Sequence, residues 1–102
     1  WVKAGATVIG VNCGEGPSSL DVALQALLRA QWAPVYASPN AGLPAPGDDG
    51  SLGWPVTPAA LARATRYWSE LGVTWFAGCC GTTAEHLRAM RAVLSPPRTH
   101  SP

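Results

Sequence analysis

The sequence has 102 residues and contains three cysteines. Its net charge is +1, and 13% of its residues are charged. This length corresponds to about one small domain, and the low charge excludes the basic surface that binding to nucleic acid or to an anionic membrane requires. No stretch has the roughly 18 consecutive apolar residues of a membrane span, and the cysteines are too few and too widely spaced for a disulfide-rich domain. We therefore expect a cytoplasmic protein that acts on a small molecule or contacts another protein.

The first part of the chain predicts a strand, a helix and a second strand. Residues 8–11 form a short β-branched run that ends at a glycine-rich loop. A helix over residues 18–31 follows, with Ser18 as its N-cap and Asp21 three residues later. Residues 34–38 are the second predicted strand.

A long loop follows the second predicted strand, over residues 39–57. It is rich in glycine and proline, and a loop of this length in a compact domain is usually functional or disordered. Thr57 then predicts the N-cap of a second helix, which begins at Pro58 and stops at Gly72.

The last part of the chain predicts a third strand and a third helix. The strand covers residues 73–76 and is followed closely by two adjacent cysteines. Thr82 and Glu85 have the spacing of a capping box at the start of the helix. We expect the tail, residues 96–102, to be disordered.

The alternation of strands and helices indicates an α/β fold. Strands that are apolar throughout are typical of a parallel sheet covered by helices. Right-handed crossovers bring the carboxyl ends of parallel strands to one edge, which we call the rim. Cys13 follows the first strand, and Cys79 and Cys80 follow the third, so we expect the three thiols to meet at the rim. Asn40 follows the second strand and joins them there.

Three thiolates at one rim have the chemistry of a metal site. They leave one position of a tetrahedral metal open, and zinc matches thiolate ligands best among the common metals. Neighbouring side chains on a regular strand point to opposite faces, so the adjacent cysteines reach one ion only if the backbone turns sharply. Gly78 and Gly81 permit such a turn. The alternative is that the cysteines are small apolar packing residues.

Other residues carry less specific signals. We expect His86 on a solvated helix face, and Glu15 either as an exposed loop residue or as an acid at the rim. Three tryptophans are expected to pack the interior: Trp54, Trp68 and Trp75.

Three motifs together resemble a known family. They are "GVNCGEGP" at residues 10–17, "PNAGLP" at residues 39–44 and "GCCGTT" at residues 78–83. In this order they resemble the C-terminal part of the zinc-binding domain of the homocysteine S-methyltransferase family, over about residues 4–94. They are more similar to its folate-linked branch, which includes cobalamin-dependent methionine synthase and fusions with methylenetetrahydrofolate reductase, than to the branches that use S-methylmethionine or betaine.

The resemblance implies a fold, a reaction and a set of ligands. The fold would be a (β/α)8 TIM barrel with parallel strands, and residues 1–95 would supply its C-terminal three β/α units. The reaction would be zinc-dependent methyl transfer to the thiol of homocysteine, giving methionine, with a methyl-cobalamin or folate-linked donor or an S-methylated sulfonium compound. The implied zinc ligands are Cys13, Cys79 and Cys80, and Asn40 is a candidate substrate-binding residue that approaches the metal when substrate is absent.

A barrel of this type has eight strand–helix units in about 250 residues. We therefore expect this chain to be an incomplete fragment that is inactive in isolation, with fused or adjacent domains as partners. Two residues depart from the family's motifs, Ala77 in place of a glycine and Ala84 in place of a proline, and neither is a ligand.

Two other functions could use the same residues. A metal-binding or thiol redox and storage module would employ the three cysteines without methyl transfer. A glycine-rich loop at a helix N-terminus also suits phosphate, although thiolates would repel that anion.

Overall fold

The computed structural model describes residues 2–31 and 33–94, so the predicted disordered tail lies outside the described residues. Strands and helices alternate in the predicted order, with one addition in the long loop. In chain order the elements are a 3-10 turn (Val2–Ala4), β1 (Ile9–Cys13), α1 (Pro17–Ala30), β2 (Val35–Pro39), β3 (Ala45–Pro46), β4 (Leu52–Gly53), α2 (Pro58–Leu71), β5 (Trp75–Phe76) and α3 (Ala84–Val93).

The main sheet is parallel, as predicted, with strand order β1-β2-β5. Its core face carries Ile9, Val35 and Ala37, which pack against Leu20 of α1 and Trp68 of α2. Helix α3 packs mainly on α2. This arrangement places the carboxyl ends of all three strands at one rim.

Helix α2 begins and ends where its local signals predict. The Thr57 hydroxyl accepts a hydrogen bond from the backbone N–H of Ala60, and Pro58 occupies the first turn. Gly72 ends the helix with a φ of 118°, a left-handed conformation that glycine adopts without a steric penalty.

The N-caps of the other two helices lie two residues and one residue away from their predicted positions. The N-cap of α1 is Gly16, followed by Pro17, so the predicted cap at Ser18 is wrong. The N-cap of α3 is Thr83, which forms a capping box with His86. Thr82 does not cap α3 because its hydroxyl donates to the carbonyl of Cys79 at 2.6 Å.

The long loop contains a small hairpin that the sequence pattern does not predict. Strands β3 and β4 pair antiparallel, and the amide of Gly47 donates to the carbonyl of Ser51 at 2.6 Å. The hydroxyl and amide of Ser51 also donate to the carboxylate of Asp49, which lowers the pKa of Asp49 below its usual value. At the base of the loop, the amide of Val56 donates to the carbonyl of Ala41 at 3.0 Å.

The three tryptophans differ in their packing. Trp68 is 1% exposed, as predicted, and its indole N–H donates to the carboxylate of Asp21 at 2.9 Å. Trp75 is 59% exposed, so its predicted packing role is wrong in this chain. Successive strand residues point to opposite faces, and Phe76 packs towards the core, which leaves Trp75 on the other face of the sheet. Trp54 is 39% exposed.

Several large apolar side chains are exposed in the part of the chain that the structure describes. Among the residues that the structure describes, no helix combines the length and the apolar character that crossing a membrane would take. Within residues 2–31 and 33–94, the large apolar side chains that are exposed besides Trp54 and Trp75 are Val22, Leu43, Leu52, Tyr67, Leu71 and Leu87.

Candidate metal centre

The backbones of the three cysteines meet at the rim around the last residue of β2. Cys13, at the end of β1, is the register partner of Pro39. On the other side of β2, the amide of Cys79 donates to the carbonyl of Pro39 at 2.9 Å. Neighbouring strands lie about 4.8 Å apart, so the backbones of Cys13 and Cys79 are about two strand spacings from each other. Cys80 is the next residue in the chain after Cys79 and lies in the same turn.

The turn that carries the adjacent cysteines depends on its two glycines. Gly81 has a φ of 78°, in the left-handed region, and a Cβ there would collide with the indole ring of Trp54. A Cβ on Gly78 would collide with the side chain of Thr82. These close approaches agree with the prediction that glycine permits a sharp turn here, with Cys79 half-buried and Cys80 exposed.

The segment after β2 holds this turn through backbone hydrogen bonds. The amide of Ala41 donates to the carbonyl of Cys80 at 2.9 Å, next to the bond between Cys79 and Pro39. The Ser38 hydroxyl adds a bond to the carbonyl of Gly78 at 3.1 Å. Because Ser38 and Pro39 belong to the central strand β2, the cysteine turn is anchored to the sheet.

Asn40 lies at the rim, as predicted, and its side chain connects two loops. Its Nδ2 donates to the carbonyl of Gly14 at 2.8 Å, and its Oδ1 accepts from the amide of Cys80 at 3.0 Å. Gly14 directly follows Cys13, so this amide joins the loop of the single cysteine to the turn of the cysteine pair. The residue is 8% exposed, and both of its polar ends have partners.

His86 does not lie on a solvated face, so that prediction is wrong. It is 7% exposed. Its Nδ1 accepts from the amide of Thr83 at 3.2 Å, and its Nε2 lies 2.7 Å from the carbonyl of Val56. A carbonyl needs a donor, so we assign the proton to Nε2. His86 therefore links the start of α3 to the end of the long loop, a role that the spacing of Thr83 and His86 could have indicated.

The long loop brings Trp54 to the cysteine turn, a position that the sequence pattern does not indicate. The indole of Trp54 lies over Gly81, directly beside the cysteine pair.

Glu15 is exposed, and its backbone amide donates to the hydroxyl of Ser19 at 2.8 Å. Of the two predicted roles for Glu15, the structure favours that of an exposed loop residue.

The donor chemistry of the rim suits zinc. The side chain of Cys13 lies outside the described structure, and among the side chains that are described no group of three histidine, cysteine or acidic residues is arranged to hold a metal ion. The backbone of Cys13 nevertheless faces the anchored cysteine turn across one strand. Three thiolates, one at the end of β1 and two in the turn after β5, are a donor set that fits zinc with one position left open.

Comparison with known proteins identifies the family. The homocysteine S-methyltransferase family matches residues 1–94. The chain therefore belongs to the homocysteine S-methyltransferase family, as its three motifs predicted.

Individual relatives are much longer than this chain. Methionine synthase of Mycobacterium tuberculosis (strain ATCC 25618 / H37Rv) is 39% identical over 92 residues, which cover 89% of this chain and 8% of the relative. Methionine synthase of Mycobacterium leprae (strain TN) is 38% identical with the same coverage. S-methylmethionine–homocysteine S-methyltransferase BHMT2 of Pongo abelii is 32% identical over 117 aligned positions, which cover 99% of this chain and 32% of the relative. The chain thus spans about a twelfth to a third of the length of these curated relatives.

Proposed function

We propose that this chain carries the zinc-binding part of an enzyme that transfers a methyl group to the thiol of homocysteine, giving methionine. The observation that supports this most directly is the arrangement around Pro39, with Cys13 on one side and Cys79 on the other. Membership of the family and the names of the relatives point to the same reaction.

Cys13, Cys79 and Cys80 would hold the zinc. Bound zinc would supply the Lewis acidity that keeps the homocysteine thiol deprotonated near neutral pH, where a thiol of ordinary pKa, about 8.5, is mostly protonated. Three thiolates and one divalent cation sum to a single negative charge, so the incoming sulfur would remain nucleophilic. Cys80 is exposed, so substrate could reach a metal ion that its thiolate would hold.

The chain's own residues would position the reaction. The cysteine turn is bonded to Pro39 of β2 and to Ala41 just after it. These bonds would give the metal ligands a rigid support, which the acceptor sulfur needs in order to meet the methyl carbon in line. Trp54 covers the turn at Gly81 and would exclude water from that side. Asn40 stands at the same rim and is our candidate for a residue near the substrate.

Residues 1–95 would form the C-terminal three β/α units of a (β/α)8 barrel, and 96–102 a disordered tail. The parallel order β1-β2-β5 supports this reading, since barrel strands are parallel and each is followed by a helix. The exposed Trp75 supports it as well, because the face opposite the helices would be the barrel interior. The residues that grip the amino and carboxylate groups of homocysteine would then lie on other strands.

The methyl donor would be folate-linked, by way of methyl-cobalamin. Two relatives named methionine synthase are 39% and 38% identical to this chain, against 32% for the relative named for S-methylmethionine. An S-methylated sulfonium donor is the alternative that the same centre could serve.

Metal content and methyl transfer test this function. We expect about one zinc per chain in the full-length polypeptide purified without chelator, and loss of that zinc in Cys80→Ser. With homocysteine, methionine should form from methyl-cobalamin in the wild type and not in the variant. Zinc that binds without any homocysteine-dependent turnover would favour a storage module, and absence of zinc from the folded full-length protein would refute the metal centre.

A further inference from the structure

His86 is a buried side chain that the proposed chemistry does not use. It is 7% exposed, and both of its ring nitrogens have partners. Nδ1 accepts from the amide of Thr83 at 3.2 Å, and the Nε2–H donates to the carbonyl of Val56 at 2.7 Å. The first bond caps α3, whereas the second joins α3 to the base of the long loop, 30 residues earlier in the chain.

Val56 is held at both its carbonyl and its amide. Its carbonyl accepts from His86, and its amide donates to the carbonyl of Ala41 at 3.0 Å. The amide of Ala41 in turn donates to the carbonyl of Cys80 at 2.9 Å. The imidazole is thus linked to the turn of the cysteine pair through the base of the long loop and the segment after β2.

The base of the long loop also determines where the indole of Trp54 lies. Pro55 is the one residue between Trp54 and Val56, and its ring fixes its own φ at about −65° and restricts the backbone of the residue before it. Pro55 packs on the segment after β2, where a Cβ on Gly42 would lie 2.7 Å from its Cγ. Because this connection is short and stiff, a base that is held at Val56 keeps the indole over Gly81.

We propose that His86 is a positioning residue for the turn of the cysteine pair. Its bond to Val56 holds the base of the long loop, so that the indole of Trp54 stays packed on this turn. The part of the proposal that concerns activity rests on the proposed function, since the turn would carry two of the metal ligands. The part that concerns the loop rests on the hydrogen bonds and the ring contact alone.

The variants His86→Gln and His86→Glu separate this role from that of the helix cap. Both residues suit the third position of a capping box, and a negative charge is favoured at this end of a helix. Glutamine can donate an N–H to the carbonyl of Val56, whereas an ionised glutamate has only acceptors and would repel that carbonyl. A role in the cap alone predicts that the glutamate variant retains at least as much activity as the glutamine variant, and the positioning role predicts the reverse order.

A third variant, His86→Asn, tests the same bond without adding a charge. Its carboxamide oxygen can accept from the amide of Thr83, but the side chain is one methylene shorter than glutamine and does not reach the carbonyl of Val56. We expect it to resemble the glutamate variant. If the glutamate variant does not fold, the comparison of asparagine with glutamine decides the proposal.

Hydrogen exchange in the full-length apoprotein tests the link without metal or substrate. The amide of Val56, which donates to Ala41, should exchange faster in His86→Glu and His86→Asn and near the wild-type rate in His86→Gln. The amide of Thr83 is the internal control, because each variant keeps an acceptor for it, and its exchange should be similar in all three. Equal exchange at Val56 in the three variants would refute the proposal.

The placement of the indole is measured by fluorine NMR of the protein labelled with fluorotryptophan, in which Trp54→Phe assigns the signal of Trp54. This signal should move towards that of a solvent-exposed tryptophan in His86→Glu and His86→Asn and stay in place in His86→Gln. An unchanged signal in all three variants would overturn the proposal.

Turnover of homocysteine with methyl-cobalamin provides the functional readout. We expect kcat/KM to fall by about 10-fold in His86→Glu, since misplacement of a site by about 1 Å can cost about 100-fold, and to stay near the wild-type value in His86→Gln. If the wild type shows no homocysteine-dependent turnover, the proposed function fails, and the exchange rates and the fluorine signal still decide whether His86 holds the loop.

Discussion

Replacing Gly81 with alanine tests whether the cysteine turn depends on its close contact with the long loop. At a φ of 78° an alanine is in the left-handed region, which costs about 1–2 kcal/mol. Its Cβ would also collide with the indole of Trp54, and overpacking of this kind typically costs about 1–3 kcal/mol. We expect Gly81→Ala to lower the free energy of unfolding by about 2–5 kcal/mol.

Gly50 provides the matched control for the backbone contribution. Its φ is 81°, close to that of Gly81, but a Cβ there meets nothing within 4 Å. Gly50→Ala should therefore lower the free energy of unfolding only by the conformational cost of about 1–2 kcal/mol. The difference between the two variants isolates the contact with Trp54.

Urea unfolding of the full-length polypeptide is the assay, with Trp54→Ala added to complete a double-mutant cycle. In the Trp54→Ala background, Gly81→Ala should cost little more than Gly50→Ala, because the ring is gone. Equal costs of the two glycine substitutions in the wild-type background would refute the reasoning, since the ring would then not pack on the turn.

Two further predictions concern the long loop. His86→Ala should lower the free energy of unfolding by about 2–4 kcal/mol, because it removes the helix cap and the buried donor to the carbonyl of Val56. His86→Gln keeps a capping-box residue, so its free energy of unfolding, measured by thermal or urea unfolding, should fall less. Equal losses in the two variants would contradict a role for the cap. Ser51→Ala should raise the pKa of Asp49 towards its usual value in an NMR titration, since the Ser51 hydroxyl is the main cause of the lowered pKa. Because the pKa of Asp49 is lowered in the folded state, its ionised carboxylate stabilises the fold at pH values above the unfolded pKa, and this stabilisation is lost as the pH falls through the folded pKa. An Asp49 pKa that does not change in Ser51→Ala would contradict the hydrogen bond seen in the hairpin.

Local signals predicted the elements that depend on neighbouring residues. Helix α2 begins at Pro58 and ends before Gly72 because its cap, its first-turn proline and its left-handed stop all act within a few residues. The start of α3 was predicted one residue early because Thr82 and Thr83 both suit an N-cap by type. The carbonyl of Cys79 engages the first hydroxyl, which leaves Thr83 for the cap.

Contacts between distant segments could not be predicted in the same way. His86 is buried because the carbonyl of Val56, 30 residues earlier, lies against its ring. Trp54 covers Gly81 because the base of the long loop is bonded to the segment after β2. Neither contact leaves a periodic pattern in the sequence, since each joins segments that meet only after the sheet has formed.

The sequence by itself determined the alternation of strands and helices, the family, and the three cysteines as candidate ligands, because apolar runs, caps and short motifs are local properties. Only the tertiary structure decided that Cys13 and Cys79 lie on opposite sides of Pro39 and that Asn40 bonds to both cysteine loops. The physical reason is that strand register and long-range hydrogen bonds depend on how the elements pack together, and a buried amide finds its two partners only when three strands end at the same rim.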